Sequence, residues 1–194
     1  MRKSKAETAE TRRRIVAAAT EEFRKHGLYE TGLMEVMAAA GLTQGGFYRH
    51  FKSKDQLITE ACTAGLQNAA EAIAATAEAT AEDGDGKCGL QAIVDNFLSP
   101  DHRDDRWEGC PLVSLGSELA RADTATREAA TDGFNRLVDV VAKQLPLTKP
   151  ELARERAEFI VCAMVGAVTM ARMVTDADLS ASILERTRKR LAKV

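Results

Sequence analysis

The chain has 194 residues, of which 45% are hydrophobic and 29% are charged, a composition typical of a globular protein with its own core. No run approaches the roughly 18 apolar residues that a membrane-spanning helix requires, and the charged N-terminus lacks the apolar segment of a signal peptide, so we expect a cytoplasmic protein without a membrane partner. The net charge of −2 is unevenly distributed, because residues 1–55 contain eleven Lys or Arg against seven Asp or Glu while the remainder is acidic. Only the basic N-terminal part is suited to binding a polyanion such as nucleic acid.

Helical patterns extend along the whole sequence, and no segment alternates apolar and polar residues as a strand does, so we predict an all-α fold. The first helix should end at Gly27, a residue type that commonly terminates helices in the left-handed conformation. Ser53 and Gln56 have the spacing of a capping box and predict the start of a long alanine-rich helix, which the Asp-Gly repeat at 83–86 ends. The predicted helices of the N-terminal part cover about residues 9–26, 33–40, 44–51 and 54–82.

The C-terminal part is predicted to contain five further helices. Residues 100–107 are rich in charged side chains and are interpreted as a polar connection between two of them. Thr148 and Glu151 repeat the capping-box spacing and predict the start of the longest of the five. These helices cover about residues 90–98, 111–121, 124–145, 149–174 and 179–193.

The longest of these helices has two apolar rows. One row contains Phe159 and Met173, and the other contains Ile160 and Ala171. A helix that is apolar on two sides must bury both of them. We therefore expect one row to pack against the chain itself and the other against a partner subunit.

Two short helices joined by a glycine-containing turn, the second of them small and exposed, form the pattern of a helix-turn-helix DNA-binding motif. Phe47 and Phe51 are four residues apart and should share the inward face, which leaves the opposite face for the major groove. Glutamine and arginine hydrogen-bond to base edges, other polar side chains donate to phosphate oxygens, and glycine lets the backbone approach DNA closely. On these grounds the candidate DNA-contacting residues are Gln44, Gly45, Gly46, Tyr48, Arg49, His50, Lys52 and Lys54.

The segment from Thr11 to Ala61 resembles the DNA-binding domain of the TetR family of transcriptional regulators. The resemblance is carried by GLYETGLMEVMAAAGLTQGGFYRHFKSKDQL, in which the matching positions are Gly27, Thr31, Ala40-Gly41, Gly45, Tyr48, His50-Phe51, Ser53-Lys54 and Leu57. It implies DNA contacts at Thr43, Gln44, Gly45, Gly46, Tyr48, His50 and Lys54, and also at Arg49. The chain departs from the family at Gly32, where a Ser or Thr commonly caps the second helix.

The resemblance also implies the remaining architecture. Residues 1–55 would form a three-helix DNA-binding domain, and residues 56–194 a helical bundle that binds a small effector and dimerises through its last two helices. Such a protein is a repressor that binds a palindromic operator as a homodimer and is released by a small-molecule or thiol-reactive effector. The expected dimer-interface residues are Ile160, Gly166, Ala167, Ala171, Ile183 and Leu184.

The four cysteines are widely spaced, so neither a zinc site nor a disulfide framework is indicated, and we expect no metal and no cofactor. Cys110 precedes Pro111 at a predicted helix start, where the helix dipole lowers a thiol pKa. Cys110 could therefore be a reactive sensor or a buried structural thiol, and the second role is commoner. The other three cysteines, Cys62, Cys88 and Cys162, are interpreted as structural. The candidate effector-pocket residues are Phe97, Trp107, Cys110, Phe134, Met164 and Met170. Each of them could instead belong to the core or to the dimer interface.

Two other classes of function were weighed against a DNA-binding regulator. The helix-turn-helix could serve protein interaction in place of DNA binding. An enzyme would need a group of catalytic side chains. No histidine lies at metal-ligand spacing from another His or Cys, and none lies beside a candidate nucleophile in sequence. The motif and the local positive charge together favour DNA binding without enzymatic activity.

Overall fold

The computed structural model describes residues 5–82, 89–105, 107, 109–146 and 149–193, with the side chains of 80–82 left aside. These residues form α1 (Lys5–His26), α2 (Leu33–Ala39), α3 (Lys54–Glu82), α4 (Gly89–Phe97), α5 (Pro100–Asp104), α6 (Pro111–Leu119), α7 (Thr124–Ala142), α8 (Pro150–Met173) and α9 (Ala177–Leu191). A short 3₁₀ helix, Gln44–Arg49, lies between α2 and α3. The predicted all-α class is confirmed, since no strand occurs in the described ranges.

Local signals fixed two helix ends as predicted. Helix α1 ends at Gly27, which has a φ of +90° and donates its N–H to the Phe23 carbonyl at 2.8 Å. Helix α3 begins after Ser53, whose Oγ accepts the Gln56 N–H at 3.1 Å. The segment 83–86 and the capping residue Thr148 lie outside the described residues.

The prediction of a polar connection at 100–107 is partly wrong, because this segment contains helix α5. Ser99 caps this helix by accepting the His102 N–H at 3.1 Å, and Pro100 occupies its first turn, where a missing N–H costs nothing. Arg172 of α8 then donates Nη2 to the carbonyls of His102 and Asp105, both at 2.7 Å. A tertiary contact from a residue 70 positions away in sequence thus stabilises this five-residue helix. The charge composition of the segment does not reveal that contact.

The hydrophobic residues form two cores. The smaller core joins α1, α2, the 3₁₀ helix and the start of α3, from Ile15 to Cys62, and also takes in Leu115 and Leu119 of α6. The larger core lies among α3, α4 and α6 to α9. The predicted domain division after residue 55 stays a prediction, although the smaller core extends past it along α3.

The structure corrects the expected dimer-interface residues. Four of them are buried in the larger core of their own chain, because the row containing Ile160 packs against the rest of the bundle. The other row is the exposed one, with Phe159 60%, Met170 43% and Met173 66% exposed. Of the two rows, the one containing Ile160 therefore packs against the chain itself. The buried interface candidates are Ile160, Ala167, Ala171 and Leu184, whereas Gly166 and Ile183 are half-buried.

Within the described ranges, no helix combines the length and the hydrophobicity needed to cross a membrane. Among the same residues, His, Cys, Asp and Glu side chains form no group of three or more that could hold a metal ion.

Candidate nucleic-acid interface and ligand cavity

The short 3₁₀ helix is fixed to the rest of the motif by two phenylalanines. Phe47 and Phe51 are 0% and 2% exposed, and their rings stack with centroids 5.4 Å apart. Both belong to the smaller core with Val36 and Met37 of α2. The predicted inward face of this helix is confirmed.

The predicted helix type and length at this place are wrong, because the segment is 3₁₀ over Gln44–Arg49 and not α over 44–51. The backbone bonds from Gly46 to Thr43 and from His50 to Phe47 span three residues, as in a 3₁₀ helix. Two adjacent glycines have low helix propensity, so tertiary packing through Phe47 decides the local geometry.

The opposite face of the 3₁₀ helix is exposed to solvent. Tyr48 is 72% exposed and meets the Phe47 ring edge-on at 5.1 Å, so its hydroxyl projects from a supported ring. Thr43, Gln44, Gly45, Arg49 and Lys52 are also exposed, while Gly46, His50 and Lys54 are half-buried. The structure therefore brings exposed polar and basic groups together over the phenylalanine pair.

Lys54 is held at the edge of this face. Its Nζ donates to the Tyr29 carbonyl at 2.9 Å, which ties the start of α3 to the loop between α1 and α2. An ammonium group has three donors, so two of them stay available for an anion.

The start of α2 is capped in part, although Gly32 has no side chain for this purpose. Glu35, three residues into the helix, accepts the Gly32 N–H with its Oε2 at 2.8 Å. The carboxylate also suits the positive end of the helix dipole. Glu35 thus makes one half of a capping box, whereas Gly32 has no side chain to accept an N–H of the first turn, and an ionised carboxylate cannot donate a hydrogen bond to a phosphate. Its spacing from Gly32 was the sequence signal for this contact.

Two arginines of α1, which are not among the candidate residues predicted from the sequence, position the motif. The Arg12 guanidinium lies 4.1 Å from the centre of the Phe51 ring, donates to the His50 carbonyl and pairs with Glu60 of α3. Arg14 donates to the carbonyl of Ala40, the residue that ends α2. The Arg12-Arg13-Arg14 run was the only sequence signal, and it does not show which of the three turns inward.

We expect Arg12→Ala to weaken DNA binding roughly tenfold or more, because hydrogen bonds to charged groups contribute about 1.5–3 kcal/mol and this one fixes the end of the 3₁₀ helix. Fluorescence anisotropy with a labelled operator duplex measures the change. Arg13→Ala is the matched control, since Arg13 pairs with Glu10 on the exposed side of the same helix. Equal losses in the two variants would mean that only positive charge matters.

A second candidate site is a cavity of about 600 Å³ between α1, α3, α4 and α5. Its walls combine apolar side chains with amides, carboxylates and a guanidinium, a mixture that suits a small organic molecule with a few polar groups. The lining residues include Arg24, Asn68, Ala72, Ile73, Asn96, Phe97, Asp101, His102, Asp105, Gly109 and Cys110.

Two of the six expected pocket residues, Phe97 and Cys110, line this cavity. The expectation fails for the others. Met164 is buried and Phe134 half-buried in the packing of the larger core, because their positions on α8 and α7 face neighbouring helices. Trp107 and Met170 are 50% and 43% exposed outside the cavity. The polar lining from α1 and α3 was missed because no local pattern marks it.

His102 connects the cavity wall to the start of α6. Its Nδ1 lies 2.6 Å from the Phe97 carbonyl, which can only accept, so Nδ1 carries the proton and Nε2 accepts the Cys110 N–H at 3.4 Å. Burial lowers the pKa of His102, and the Phe97 hydrogen bond opposes that effect only in part. The neutral imidazole thus bridges α5 and α6.

Cys110 does not have the properties of a reactive thiol. Burial raises its pKa from 9.0 to about 11, and this effect exceeds the lowering by the N–H groups of Leu112 and Val113. The expected lowering by the helix start is therefore wrong, since desolvation of the thiolate is the larger effect. Burial likewise raises the pKa of Cys62 to about 12, whereas Cys162 is exposed on α8 and Cys88 lies outside the described residues.

We expect Cys110 and Cys62 to resist iodoacetamide at pH 7.5. A thiol with a pKa of about 11 has roughly one hundred times less reactive thiolate than one at 9.0, and burial blocks access as well. Mass spectrometry of proteolytic peptides measures labelling in the folded protein and, as the control, in guanidinium chloride. Labelling of Cys110 in the folded protein at the unfolded rate would contradict this assignment.

Comparison with known proteins gives matches in both parts of the chain. Residues 15–61 match the family described as bacterial regulatory proteins, tetR family. Residues 88–182 match the C-terminal domain described as transcriptional regulator LmrA/YxaF-like.

Curated relatives match over different lengths. The HTH-type transcriptional regulator LmrA of Bacillus subtilis (strain 168) is 28% identical over 158 residues, which are 80% of this chain and 82% of that protein. The HTH-type transcriptional regulator AcrR of Shigella flexneri is 44% identical over 59 residues, only 30% of this chain and 27% of that one.

Solved structures share the fold over nearly the whole length. The reduced form of NemR from E. coli has a TM-score of 0.74 at 16% identity and covers 95% of this chain and 96% of its own. A TetR transcriptional regulator from Chloroflexus aurantiacus has a TM-score of 0.70 at 23% identity, covering 97% and 95%. At these identities the likeness establishes the fold.

Proposed function

Because the chain belongs to the TetR family of bacterial DNA-binding transcriptional regulators, which are not enzymes, we propose that it is a ligand-responsive repressor acting on a palindromic operator as a homodimer. The observation that carries this proposal is the exposed polar face of the 3₁₀ helix over its buried phenylalanine pair. In this proposal the face enters the major groove, with the 3₁₀ helix as the recognition helix.

Each proposed DNA contact follows from the chemistry of that face. Gln44 and Arg49 carry the groups that hydrogen-bond to base edges. Tyr48, Lys52 and Lys54 carry donors for phosphate oxygens, and the exposed backbone at Gly45 permits close approach. Thr43, Gly46 and His50 complete the proposed set of contacts.

We propose that the stripe of α8 formed by the exposed Phe159, Met170 and Met173 and the half-buried Gly166 packs against a second copy of the chain. Large apolar side chains exposed along one helix face are expected where a partner covers them. A two-fold dimer would present two recognition helices to successive major grooves about one helical turn apart.

For the effector, the cavity supports a small molecule held by noncovalent contacts. The buried, protonated Cys110 thiol in its wall argues against a thiol-reactive effector. We propose that such a molecule binds among the amides and apolar side chains of the cavity and lowers the affinity for the operator.

The proposal is tested by selecting duplex DNA from a random pool with the purified protein and titrating the selected sequence by fluorescence anisotropy. We expect an inverted repeat, at least about 1000-fold preference over scrambled duplex, and an affinity that falls steeply with salt. Sequence-independent binding, or no binding at low salt, would refute the proposal.

A further inference from the structure

Helix α6 contacts both cores of the protein. At its start, Cys110 and Val113 belong to the larger core, and Gly109 and Cys110 line the cavity. Toward its end, Leu115 and Leu119 belong to the smaller core behind the helix-turn-helix. Helix α6 therefore connects the cavity wall to the core of the DNA-binding part.

Glu118, in the last turn of α6, makes a direct polar contact with the DNA-binding part. Its Oε2 accepts the backbone N–H of Leu28 at 2.7 Å, across 90 residues of sequence. Hydrogen bonds to a carboxylate are shorter and stronger than those between neutral groups. Leu28 is fully buried and follows Gly27 in the loop that leads from α1 into α2.

The carboxylate of Glu118 also fits against the end of α1. A Cβ placed on Gly27 would lie 2.8 Å from Glu118 Oε1, so the carboxylate occupies the space beside a glycine whose φ is +90°. Glu118 thus joins the last turn of α6 to the turn that ends α1.

We infer that Glu118 is the positioning residue through which α6 sets the orientation of the helix-turn-helix, so that filling the cavity at the start of α6 weakens operator binding through this contact. This inference rests on the proposed ligand response. A purely structural cap would change stability and operator affinity without changing how strongly a filled cavity acts on DNA binding.

A double-mutant cycle tests the inference without an identified ligand. Ala72→Trp places an indole in the cavity from an exposed position of α3, and Glu118→Ala removes the carboxylate. Operator affinity is measured by anisotropy for the wild type, both single variants and the double variant, with the duplex selected by the wild type. We expect Ala72→Trp to weaken binding at least about fivefold when Glu118 is present and less than about twofold when it is absent.

Two further variants keep the test decisive. Glu128→Ala removes an exposed carboxylate of α7, and in its background Ala72→Trp should keep its full effect. Glu118→Gln keeps an oxygen acceptor for Leu28 without the charge, and it should lower the effect of Ala72→Trp by at least half. Circular dichroism melting shows whether Glu118→Ala is folded at the assay temperature, and if it is not, the cycle is evaluated with Glu118→Gln.

An equal effect of Ala72→Trp with and without Glu118, including no effect in either background, overturns the inference. Failure of the wild type to bind any selected duplex overturns the proposed function instead. The two failures are therefore distinguishable.

Discussion

Phe159→Asp is expected to convert the protein from a dimer to a monomer and to reduce operator affinity at least about 100-fold. The ring is 60% exposed at one end of the stripe proposed as the α8 interface, where a charge would have to be buried against apolar side chains of the second copy. A monomer engages one half-site and loses the effective concentration that links the two recognition helices. Size-exclusion chromatography with light scattering measures the mass, and anisotropy measures the affinity.

The matched control is Phe159→Leu, which keeps an apolar side chain and should keep both the dimer and operator binding. Because Phe159 lies on the exposed side of α8, neither substitution should lower the melting temperature of the isolated fold by burying a charge in its own core. A Phe159→Asp variant that stays dimeric with full operator affinity would place the interface elsewhere.

Replacing Tyr48 and Lys54 together with alanine should reduce operator affinity about 100-fold or more and leave the dimer intact. Tyr48 is 72% exposed and Lys54 is tied to the protein through one carbonyl contact, so neither supports the core. Lys54→Ala alone should lower the slope of log affinity against log salt concentration by about 1, the value for one lost phosphate contact. Anisotropy titrations between about 50 and 200 mM salt measure both quantities.

Lys25→Ala is the control for the loss of a positive charge, because Lys25 lies at the far end of α1 and pairs with Glu22. It should leave the salt slope unchanged. Retention of the main binding partner by the Tyr48 and Lys54 double variant would favour a protein-interaction role for the motif over DNA binding.

Local sequence signals predicted most of the N-terminal fold. Gly27 marked the end of α1, and the Ser53-Gln56 spacing marked the start of α3, because each acts through contacts within a few residues. The inward face of the recognition helix followed from the four-residue spacing of Phe47 and Phe51. The same local reasoning missed that this helix is 3₁₀, since packing against α2 determines its geometry.

Features that depend on tertiary packing were not predictable. The two rows of α8 have similar hydrophobicity, so the sequence did not show that Ile160 packs inward and Phe159 outward. The pKa of Cys110 depends on burial in the folded chain, which outweighs the local effect of its helix start. Contacts such as Arg12 with His50 and Glu118 with Leu28 join distant positions whose proximity only the folded chain reveals.

The two adjacent glycines of the 3₁₀ helix, Gly45 and Gly46, are positions where the proposed DNA contacts can be altered by substitution. A Cβ on Gly45 would meet no atom within 4 Å, and one on Gly46 would meet only the Met37 methyl at 3.7 Å. Neither residue has the positive φ that would exclude other side chains, which the described residues show at Gly27 and Gly41. Side chains can therefore be introduced at these two positions without disturbing the core of the protein, and a library there shows which residues the proposed approach of the backbone to DNA tolerates and which operators the tolerated variants select.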